Sequence, residues 1–479
     1  MNLTNLNPKL LKAHYAVRGK IVARAQKLEK EGKKIIYCNI GNPQALKQQP
    51  LTFIRQLLAL VEYPELMNHP ETLKTFPKDI VERAKFILKE NPKGMGAYTQ
   101  SEGMHFIREA VAGFIEKRDG IKTDVKRIML TDGASKGIQL VFTMLLHNEQ
   151  TGFMIPIPQY PLYSATIDLY GAKQVNYYLD EEKNWELNES ELNFSLAKAK
   201  EKGIATVAIV VINPGNPTGS VLSKENIKMI INFSAKNKLA ILADEVYQEN
   251  IYNKALPFHS FASVMEEMGE KNVPLFSFHS ISKGFLGECG HRGGYMETRN
   301  VSDEVYEQMV KLQSIGLCSN TAGQIATFAM VAPPKTGDES FDLYEKEKNG
   351  ILADLKEKAE ILGAELNKIP GMHIKVPTGA MYAFVKFDLP AEDGIHPEKM
   401  GEEERLKHEA ARDTDYCMKL LEETGICVVP GSGFGQKPGT FHFRTTFLPP
   451  KDEIKALVEK FGKFHTAYTA SAGKAAVKK

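Results

Sequence analysis

The stretch Ala205-Thr-Val-Ala-Ile-Val-Val-Ile212 is an uninterrupted run of small and β-branched residues. Such a run is typical of a strand that is buried on both faces of a sheet. A turn-forming segment follows, then a helical pattern from about Lys224 to Asn237, and then a second apolar run, Leu239-Ala-Ile-Leu-Ala-Asp244. Strand, helix and strand in this order predict a βαβ unit, in which a helix joins two parallel strands and covers the sheet.

The same alternation extends on both sides of this unit. We predict further strands at residues 127–131, 152–157 and 273–278, and a helix at residues 136–147. The pattern predicts the α/β fold class, with a mostly parallel sheet between two layers of helices. Ligands of such sheets bind at the carboxyl ends of the strands, so the residues that follow each strand are the first candidates for a site.

The segment Val331-Ala-Pro-Pro-Lys-Thr-Gly-Asp338 is typical of a linker and predicts a boundary within the chain. Beyond it we predict a smaller α+β domain with helices and strands at residues 341–368, 380–387, 425–429, 440–446 and 451–467. Near the N-terminus the patterns predict a helix at 10–30 and a strand at 34–40. The expected domains are an N-terminal arm with part of the small domain, a large domain and a small C-terminal domain, at 1–70, 71–335 and 336–479.

Composition argues against several classes of protein. The 479 residues include 61 basic and 59 acidic side chains, a formal net charge of +2, so no large field of one sign favours nucleic acid or a membrane surface as a partner. No apolar run approaches the roughly 18 residues that a membrane-spanning helix requires. Five widely spaced cysteines without a Cys-x-x-Cys pair predict neither a disulfide framework nor a metal site. The N-terminus shows no secretory or transit signal, and we therefore expect a cytoplasmic location.

Two residues that follow predicted strands point to a cofactor. Asp244 ends the strand that begins at Leu239, and Lys283 lies in Ser280-Ile-Ser-Lys283-Gly, just after the next strand. A lysine can form a Schiff base with an aldehyde, and an aspartate keeps a pyridine nitrogen protonated by the attraction of opposite charges. Pyridoxal 5'-phosphate needs both groups, so the pair predicts a pyridoxal-phosphate site in which both residues are catalytic. Considered alone, Asp244 is equally compatible with a helix cap.

Two segments predict a site for the cofactor's phosphate. Ser135 begins a helix after the turn Thr131-Asp-Gly-Ala-Ser135, and the free N–H groups and positive end of a helix N-terminus favour an anion. A serine that only caps its helix is the alternative. Ser280 and Arg292 lie on either side of Lys283 along the chain and would add a hydroxyl and a guanidinium from the opposite side.

The loop Asn213-Pro-Gly-Asn216-Pro-Thr-Gly219 is the most specific string in the chain. Two X-Pro bonds and two glycines make it rigid, so the Asn216 amide would be fixed at a strand end, where it can donate to the cofactor's phenolic oxygen. Tyr247, three residues after Asp244, would donate to the same oxygen. Tyr160 lies between prolines, where its ring would stack on the cofactor. The alternative for the loop that contains Asn216 is an ordinary sharp turn. The alternative for Tyr160 is a tyrosine that only packs within a turn.

Arg444 places a charge in an otherwise apolar run, Phe441-His-Phe-Arg-Thr-Thr-Phe447. A charge in such a pattern must be paired, or it binds a charged substrate. The planar guanidinium matches a carboxylate with two hydrogen bonds, so Arg444 is the candidate for the substrate α-carboxylate. A structural salt bridge is the alternative. Backbone groups of Asn39-Ile-Gly41 would lie opposite and leave room for a small substrate side chain.

The chain resembles the fold-type-I pyridoxal-phosphate aminotransferases, and the alanine aminotransferases in particular, over nearly its whole length. The strings that carry the resemblance are Gly41-Asn-Pro-Gln and residues 155–165, 212–219, 242–248, 278–284, 287–295 and 422–436. The resemblance implies a homodimer with its active sites at the interface. The implied cofactor-binding residues are Ala134, Ser135, Tyr160, Asn216, Asp244, Tyr247, Ser280, Lys283 and Arg292, with Tyr98 reaching in from the other subunit. The implied substrate-binding residues are Gly41, Asn216 and Arg444, and Tyr160 joins Lys283 and Asp244 among the catalytic residues.

The implied reaction is ping-pong transfer of an amino group from L-alanine to 2-oxoglutarate, which gives pyruvate and L-glutamate. A glutamate–glyoxylate or alanine–glyoxylate aminotransferase is the first alternative, because those sequences are similar. A non-catalytic ligand-sensing module on the same fold is a remote alternative, since no basic helix-turn-helix segment precedes residue 40. The sequence does not identify the group that accepts the distal carboxylate of glutamate, and Arg18 is only a candidate for mutation.

Overall fold

The computed structural model describes residues 1–13, 15, 19–392 and 395–477. Its strands are β1 (Ile36–Tyr37), β2 (Ile128–Thr131), β3 (Thr151–Ile157), β4 (Lys173–Tyr178), β5 (Ala205–Ile212), β6 (Ala240–Asp244), β7 (Leu275–Ser280), β8 (Gly294–Arg299), β9 (Met372–His373), β10 (Tyr382–Phe387), β11 (Ile426–Cys427), β12 (Val429–Pro430) and β13 (His442–Thr446). Its α-helices are α1 (Pro8–Lys12), α2 (Lys20–Lys30), α3 (Thr52–Glu62), α4 (Pro70–Leu73), α5 (Lys78–Glu90), α6 (His105–Asp119), α7 (Ala134–Leu145), α8 (Leu162–Tyr170), α9 (Glu189–Glu201), α10 (Lys224–Asn237), α11 (Phe261–Met268), α12 (Asp303–Ile315), α13 (Thr321–Val331), α14 (Phe341–Leu366), α15 (Glu402–Thr424) and α16 (Lys451–Val477).

The large sheet contains seven strands in the order β2-β8-β7-β6-β5-β3-β4. All neighbours are parallel except β8, which runs antiparallel to both β2 and β7. The strands predicted from apolar runs are confirmed as β2, β3, β5, β6 and β7, with small shifts at their ends. Side chains on both faces of β5 are buried from Ala208 to Ile212, which explains why that run is continuously apolar. The predicted α/β fold with a mostly parallel sheet is confirmed.

Two strands of the large sheet were not predicted. β4 is an edge strand in which buried Val175 and Tyr177 alternate with more exposed polar residues, so it has no continuous apolar run. β8 contains Glu297 and Arg299, which pair with each other at 2.7 Å and so remain in a mostly buried strand. Both segments form strands because they pair with neighbouring strands of the sheet, although their own residue patterns favour a strand only weakly.

The C-terminal part of the chain forms a separate antiparallel sheet in the order β12-β13-β10-β9. The predicted helix at 341–368 is confirmed as α14, and the predicted last helix is confirmed but extends to Val477. The single strand expected at 425–429 is instead two short strands, β11 and β12, that belong to different sheets. β11 pairs in parallel with β1, so the N-terminal segment joins the smaller C-terminal unit.

The prediction of one continuous N-terminal helix at 10–30 is wrong. The structure has two helices, α1 and α2, and α2 begins only after Gly19, whose backbone is extended (φ −81°, ψ −161°). Lys9 of α1 donates to the backbone oxygen of Tyr170 at the end of α8 and pairs with Glu149 at 2.9 Å, which fixes α1 on the large domain. Arg18, the candidate for the distal carboxylate, lies outside the described residues.

Several further features concern the described residues only. No helix among them is both long and apolar enough to cross a membrane. They contain no group of three or more His, Cys, Asp or Glu side chains placed to hold a metal ion. The five cysteines are all free thiols.

Candidate active site

A cavity of about 440 Å³ opens at the carboxyl ends of β5, β6 and β7, next to β10 and β13 of the smaller sheet. Nearly all of the site residues predicted from the sequence line it: Gly41, Ala134, Ser135, Tyr160, Asn216, Asp244, Tyr247, Ser280, Lys283, Arg292 and Arg444. Tyr98 does not line this cavity, and it is 76 % exposed. The parallel strands of the large sheet bring part of this set to one edge. Gly41 and Arg444, which are 403 positions apart, come from the segment after β1 and from β13 of the smaller sheet.

Lys283 reaches the cavity from the turn after β7. Its Nζ donates to the backbone oxygen of Gly41 at 2.6 Å, so the lysine spans from the large sheet to the segment that follows β1. A Cβ atom at Gly41 would lie only 1.7 Å from the hydroxyl oxygen of Tyr382. Glycine at position 41 therefore allows this backbone to approach both the lysine and the tyrosine.

Asp244 is the last residue of β6 and is almost completely buried. Its Oδ2 accepts a hydrogen bond from the Tyr163 hydroxyl at 2.6 Å, whereas its Oδ1 has no hydrogen-bond partner among the described residues. Burial raises the pKa of Asp244, while the hydrogen bond from Tyr163, the Val246 amide and the positive charge of Lys283 oppose that rise. An unpaired carboxylate oxygen in a cavity is ready to accept from a cationic N–H group of a ligand.

The N-terminus of α7 lies opposite Arg292. Gly133 precedes the helix with a φ of 77°, and a Cβ at this position would lie 2.7 Å from Nη2 of Arg292. The guanidinium also donates to the backbone oxygens of Asp132 and Cys289 at 2.9 and 3.1 Å. Free N–H groups at the start of α7, this guanidinium and the hydroxyls of Ser135 and Ser280 together favour an anion at this end of the cavity.

Arg444 lies at the opposite end and is only 1 % exposed. Its guanidinium carbon lies between two aromatic rings, 4.3 Å from the Tyr382 centroid and 4.6 Å from the Phe434 centroid. Nη1 donates to Oδ1 of Asn216 at 3.2 Å and Nη2 donates to the backbone oxygen of Asn39, while Nε has no partner in the part of the chain that the structure describes. No carboxylate of the described residues pairs with Arg444, so the salt-bridge alternative gains no support there.

Asn216 and the phenols complete the cavity. Because Asn216 uses Oδ1 to accept from Arg444, its amide N–H groups remain available to donate to a ligand. The Tyr247 hydroxyl donates to that of Tyr382 at 3.4 Å. Burial raises the pKa of Tyr247, whereas in Tyr382 the charges of Lys283 and Arg444 outweigh the effect of burial and lower the pKa.

Side chains that line the cavity and were not predicted from the sequence include Tyr15, Cys289 and Tyr382, and the unpredicted Tyr163 contacts Asp244 from outside the cavity. Tyr382 lies in an apolar strand pattern, where a tyrosine is normally a core residue. The Tyr15 hydroxyl lies 2.8 Å from that of Tyr160, although the two residues are 145 positions apart. Tyr163 lies inside the specific string at 155–165, which was the only signal that could have identified it.

Known proteins are similar to this chain in both sequence and fold. A probable mitochondrial alanine aminotransferase of Dictyostelium discoideum is 47 % identical, over 98 % of this chain and 89 % of that protein. Glutamate–glyoxylate aminotransferase 1 of Arabidopsis thaliana is 45 % identical, over 98 % of this chain and 96 % of that protein. The solved structure of an alanine aminotransferase from Pyrococcus furiosus matches with a TM-score of 0.76 and 27 % identity, over 97 % of this chain and 100 % of the other.

The expectation of a cytoplasmic location is wrong in the light of these comparisons. The Dictyostelium relative is named as mitochondrial, and so are two alanine aminotransferases of Arabidopsis thaliana. The expectation rested on the lack of a recognisable secretory or transit signal in the N-terminal residues.

A family model provides the broadest comparison. The model described as aminotransferase class I and II matches residues 62–461, a range that contains every predicted site residue except Gly41. This match covers most of the chain, and the curated relatives extend the similarity to nearly its full length. The chain therefore belongs to the aminotransferase class I and II family.

Proposed function

We propose that this chain is a pyridoxal-phosphate-dependent alanine aminotransferase. It transfers the amino group of L-alanine to 2-oxoglutarate by a ping-pong mechanism and produces pyruvate and L-glutamate. The observation that carries this proposal is Arg444, a buried guanidinium without a carboxylate partner among the described residues, in the same cavity as Lys283 and Asp244. Relatives named alanine aminotransferase in several organisms support alanine as the amino donor.

The cavity fits pyridoxal phosphate, the cofactor that this family is known to use. The N-terminus of α7, Ser280 and Arg292 would hold the phosphate, and the unpaired Oδ1 of Asp244 would accept from the ring N–H. Asn216 and Tyr247 would donate to the phenolic oxygen, and the ring of Tyr160 would stack on the cofactor. The orphaned oxygen of Asp244 supports this fit most directly, because buried carboxylates rarely lack a partner.

Arg444, Lys283 and Asp244 have separate roles in the proposed reaction. When bound, pyridoxal phosphate supplies an electron sink for the Cα–H bond of the amino acid. Arg444 binds the α-carboxylate and orients Cα toward Lys283, because a guanidinium and a carboxylate form two parallel hydrogen bonds. The free amine of Lys283 then removes the Cα proton as a general base. Asp244 keeps its negative charge opposite the ring N–H, which stabilises the protonated ring.

Arg444→Lys is expected to lower kcat/KM for L-alanine by about 10²-fold, mainly by raising KM. The lysine keeps the positive charge but loses the planar fork and the contact with both rings, and hydrogen bonds to charged groups account for a loss of this size. Pyruvate formation from L-alanine and 2-oxoglutarate by the purified protein measures the effect. Arg412→Lys is the matched control, because Arg412 also lies over an aromatic ring (Phe441, 4.9 Å) but outside the cavity. An unchanged KM in Arg444→Lys would remove Arg444 from substrate binding.

A glutamate–glyoxylate aminotransferase is the second candidate. The specific observation in its favour is that two Arabidopsis thaliana proteins of that name are 44–45 % identical to this chain over 98 % of its length. The two candidates share the cavity chemistry described above and differ in both the amino donor, L-alanine or L-glutamate, and the oxo acid that accepts the amino group, 2-oxoglutarate or glyoxylate.

We further propose that the protein is a homodimer in which Tyr98 completes the partner's site. Tyr98, Ile315 and Leu317 are large exposed hydrophobic residues. Ser314 donates to Ser101 at 2.8 Å, so the segments that carry these three residues are neighbours in the fold. Exposed apolar side chains on neighbouring segments support an interface between subunits.

The proposed domains are residues 1–70, 71–335 and 336–479, with the N-terminal arm contributing to the small domain. The pairing of β1 with β11 supports that contribution. The separate antiparallel sheet after α14 supports a boundary near residue 335.

A further inference from the structure

Tyr163 lies behind Asp244 and does not itself line the cavity. It is fully buried, on the first turn of α8, three residues after Tyr160. Its ring packs edge-to-face against Phe142 with the centroids 6.3 Å apart, so packing restricts its orientation. Its hydroxyl donates to Oδ2 of Asp244 at 2.6 Å. The segment that leads into α8 and the first turn of that helix therefore supply a ring that lines the cavity and a hydroxyl that holds the carboxylate from behind.

The two oxygens of Asp244 have different surroundings. Oδ2 is occupied by the Tyr163 hydroxyl, and Oδ1 is buried without a partner in the described part of the chain. If the carboxylate turned, it would lose the charge-assisted hydrogen bond to Tyr163, which is about twice as strong as a neutral one. Together with the Val246 amide, the Tyr163 hydroxyl therefore fixes the orientation of the carboxylate, which leaves the other oxygen free for a ligand.

We propose that Tyr163 is a positioning residue that holds Asp244 with Oδ1 directed at the ring nitrogen of bound pyridoxal phosphate. The proposal rests on the proposed function, since it requires that cofactor. Tyr163 is suited to donate rather than accept, because burial raises its pKa well above the usual value and keeps the phenol protonated. Without the hydroxyl, a buried carboxylate would lose a donor and would hold its negative charge less well.

Tyr163→Phe removes the hydroxyl and leaves the ring in place. The first measurement is the affinity of the apoprotein for pyridoxal phosphate, and we expect binding to weaken about tenfold, in keeping with one hydrogen bond to a charged group. The second is the pH midpoint of the visible absorption of the bound cofactor, and we expect it to rise. The rise follows because a ring without a proton on its nitrogen withdraws less electron density from the linkage to Lys283. The nitrogen of that linkage then keeps its own proton up to a higher pH.

Tyr177→Phe is the matched control. Tyr177 is also fully buried, and its hydroxyl donates at 2.6 Å to the backbone oxygen of Val210, away from the cavity. The control is expected to keep the wild-type cofactor affinity and the wild-type pH midpoint. Both variants lose one buried hydrogen bond, so any shared loss of thermal stability reflects the fold alone.

Combining Tyr163→Phe with Asp244→Asn tests whether Tyr163 acts through Asp244. If it does, Tyr163→Phe shifts the affinity and the midpoint only when Asp244 is present. Equal shifts in both backgrounds, wild-type values in Tyr163→Phe, or an apoprotein that unfolds far below Tyr177→Phe would each overturn the positioning role. A wild-type protein that binds no pyridoxal phosphate would instead contradict the proposed function itself.

Discussion

Replacing Lys283 by Ala is expected to reduce alanine-dependent turnover by at least about 10⁴-fold, the upper range for loss of a general base. The loss is this large because Lys283 is proposed both to hold the cofactor covalently and to move the Cα proton. The only other nitrogen-containing side chains that line the cavity among the described residues, Asn42, Asn216, Arg292 and Arg444, carry no basic amine that could replace it. Pyruvate formation at saturating L-alanine measures the loss.

A chemical measurement complements the kinetics of Lys283→Ala. Borohydride reduction of the wild-type holoprotein is expected to attach the cofactor permanently to the peptide that contains Lys283, and peptide mapping locates the attachment. Lys236→Ala, which changes an exposed lysine in the last turn of α10, is the control and should retain full activity. Substantial turnover in Lys283→Ala, or attachment at another lysine, would contradict the assigned role.

The second large effect is expected for Asp244→Asn, which removes the negative charge and keeps the shape. We expect kcat to fall by about 10³-fold, the scale at which loss of one preorganised electrostatic partner acts in other active sites. The fall follows because a neutral amide no longer holds the ring nitrogen in its protonated form. Steady-state kinetics with L-alanine and a titration of the apoprotein with pyridoxal phosphate measure the two consequences.

Asp168→Asn is the matched control for Asp244→Asn. Asp168 lies on α8, accepts from Gln174 at 2.8 Å and does not line the cavity. We expect this variant to keep its turnover, so a similar fall in both variants would indicate damage to the fold. Near-normal turnover in Asp244→Asn would show that the carboxylate is not the partner of the ring nitrogen.

The strand ends of the large sheet could be predicted from sequence because their chemistry is local. β5 and β6 are short apolar runs, and Asn216 and Asp244 come at or just after their ends. The carboxyl ends of parallel strands meet at one edge of the sheet. Residues that follow successive predicted strands are therefore expected to lie close together in space. The same reasoning placed Lys283 after β7 and Ser135 at the start of α7, and the structure puts these residues around one cavity.

The remainder of the site depends on contacts between distant parts of the chain. Tyr382 enters the cavity from the small sheet, and Tyr15 enters from the N-terminal segment, and neither has a local signal. The carboxylate–phenol pair of Asp244 and Tyr163 joins residues 81 positions apart. Periodicity cannot indicate such pairs. It shows which face of a helix or strand is buried, but not which residues of another element pack against that face.

Two errors in the predicted fold concern where elements begin and end. The helical pattern at 10–30 continues through the segment that separates α1 from α2, so periodicity alone joined the two helices. The apolar run at 425–429 is divided because β11 pairs with β1 while β12 pairs with β13. For β11 and β12, the partner strands from elsewhere in the chain determine where each strand ends.

The visible spectrum of the purified holoprotein, recorded before and after L-alanine is added without an acceptor, tests the central claim most directly. We predict a yellow protein that L-alanine bleaches stoichiometrically, because the amino group then remains on the cofactor. Adding 2-oxoglutarate should restore the colour, whereas recovery with glyoxylate but not with 2-oxoglutarate would favour the alanine–glyoxylate alternative. A yellow protein that L-alanine leaves unchanged would contradict alanine as the substrate. A colourless protein that takes up no added pyridoxal phosphate would contradict the account as a whole.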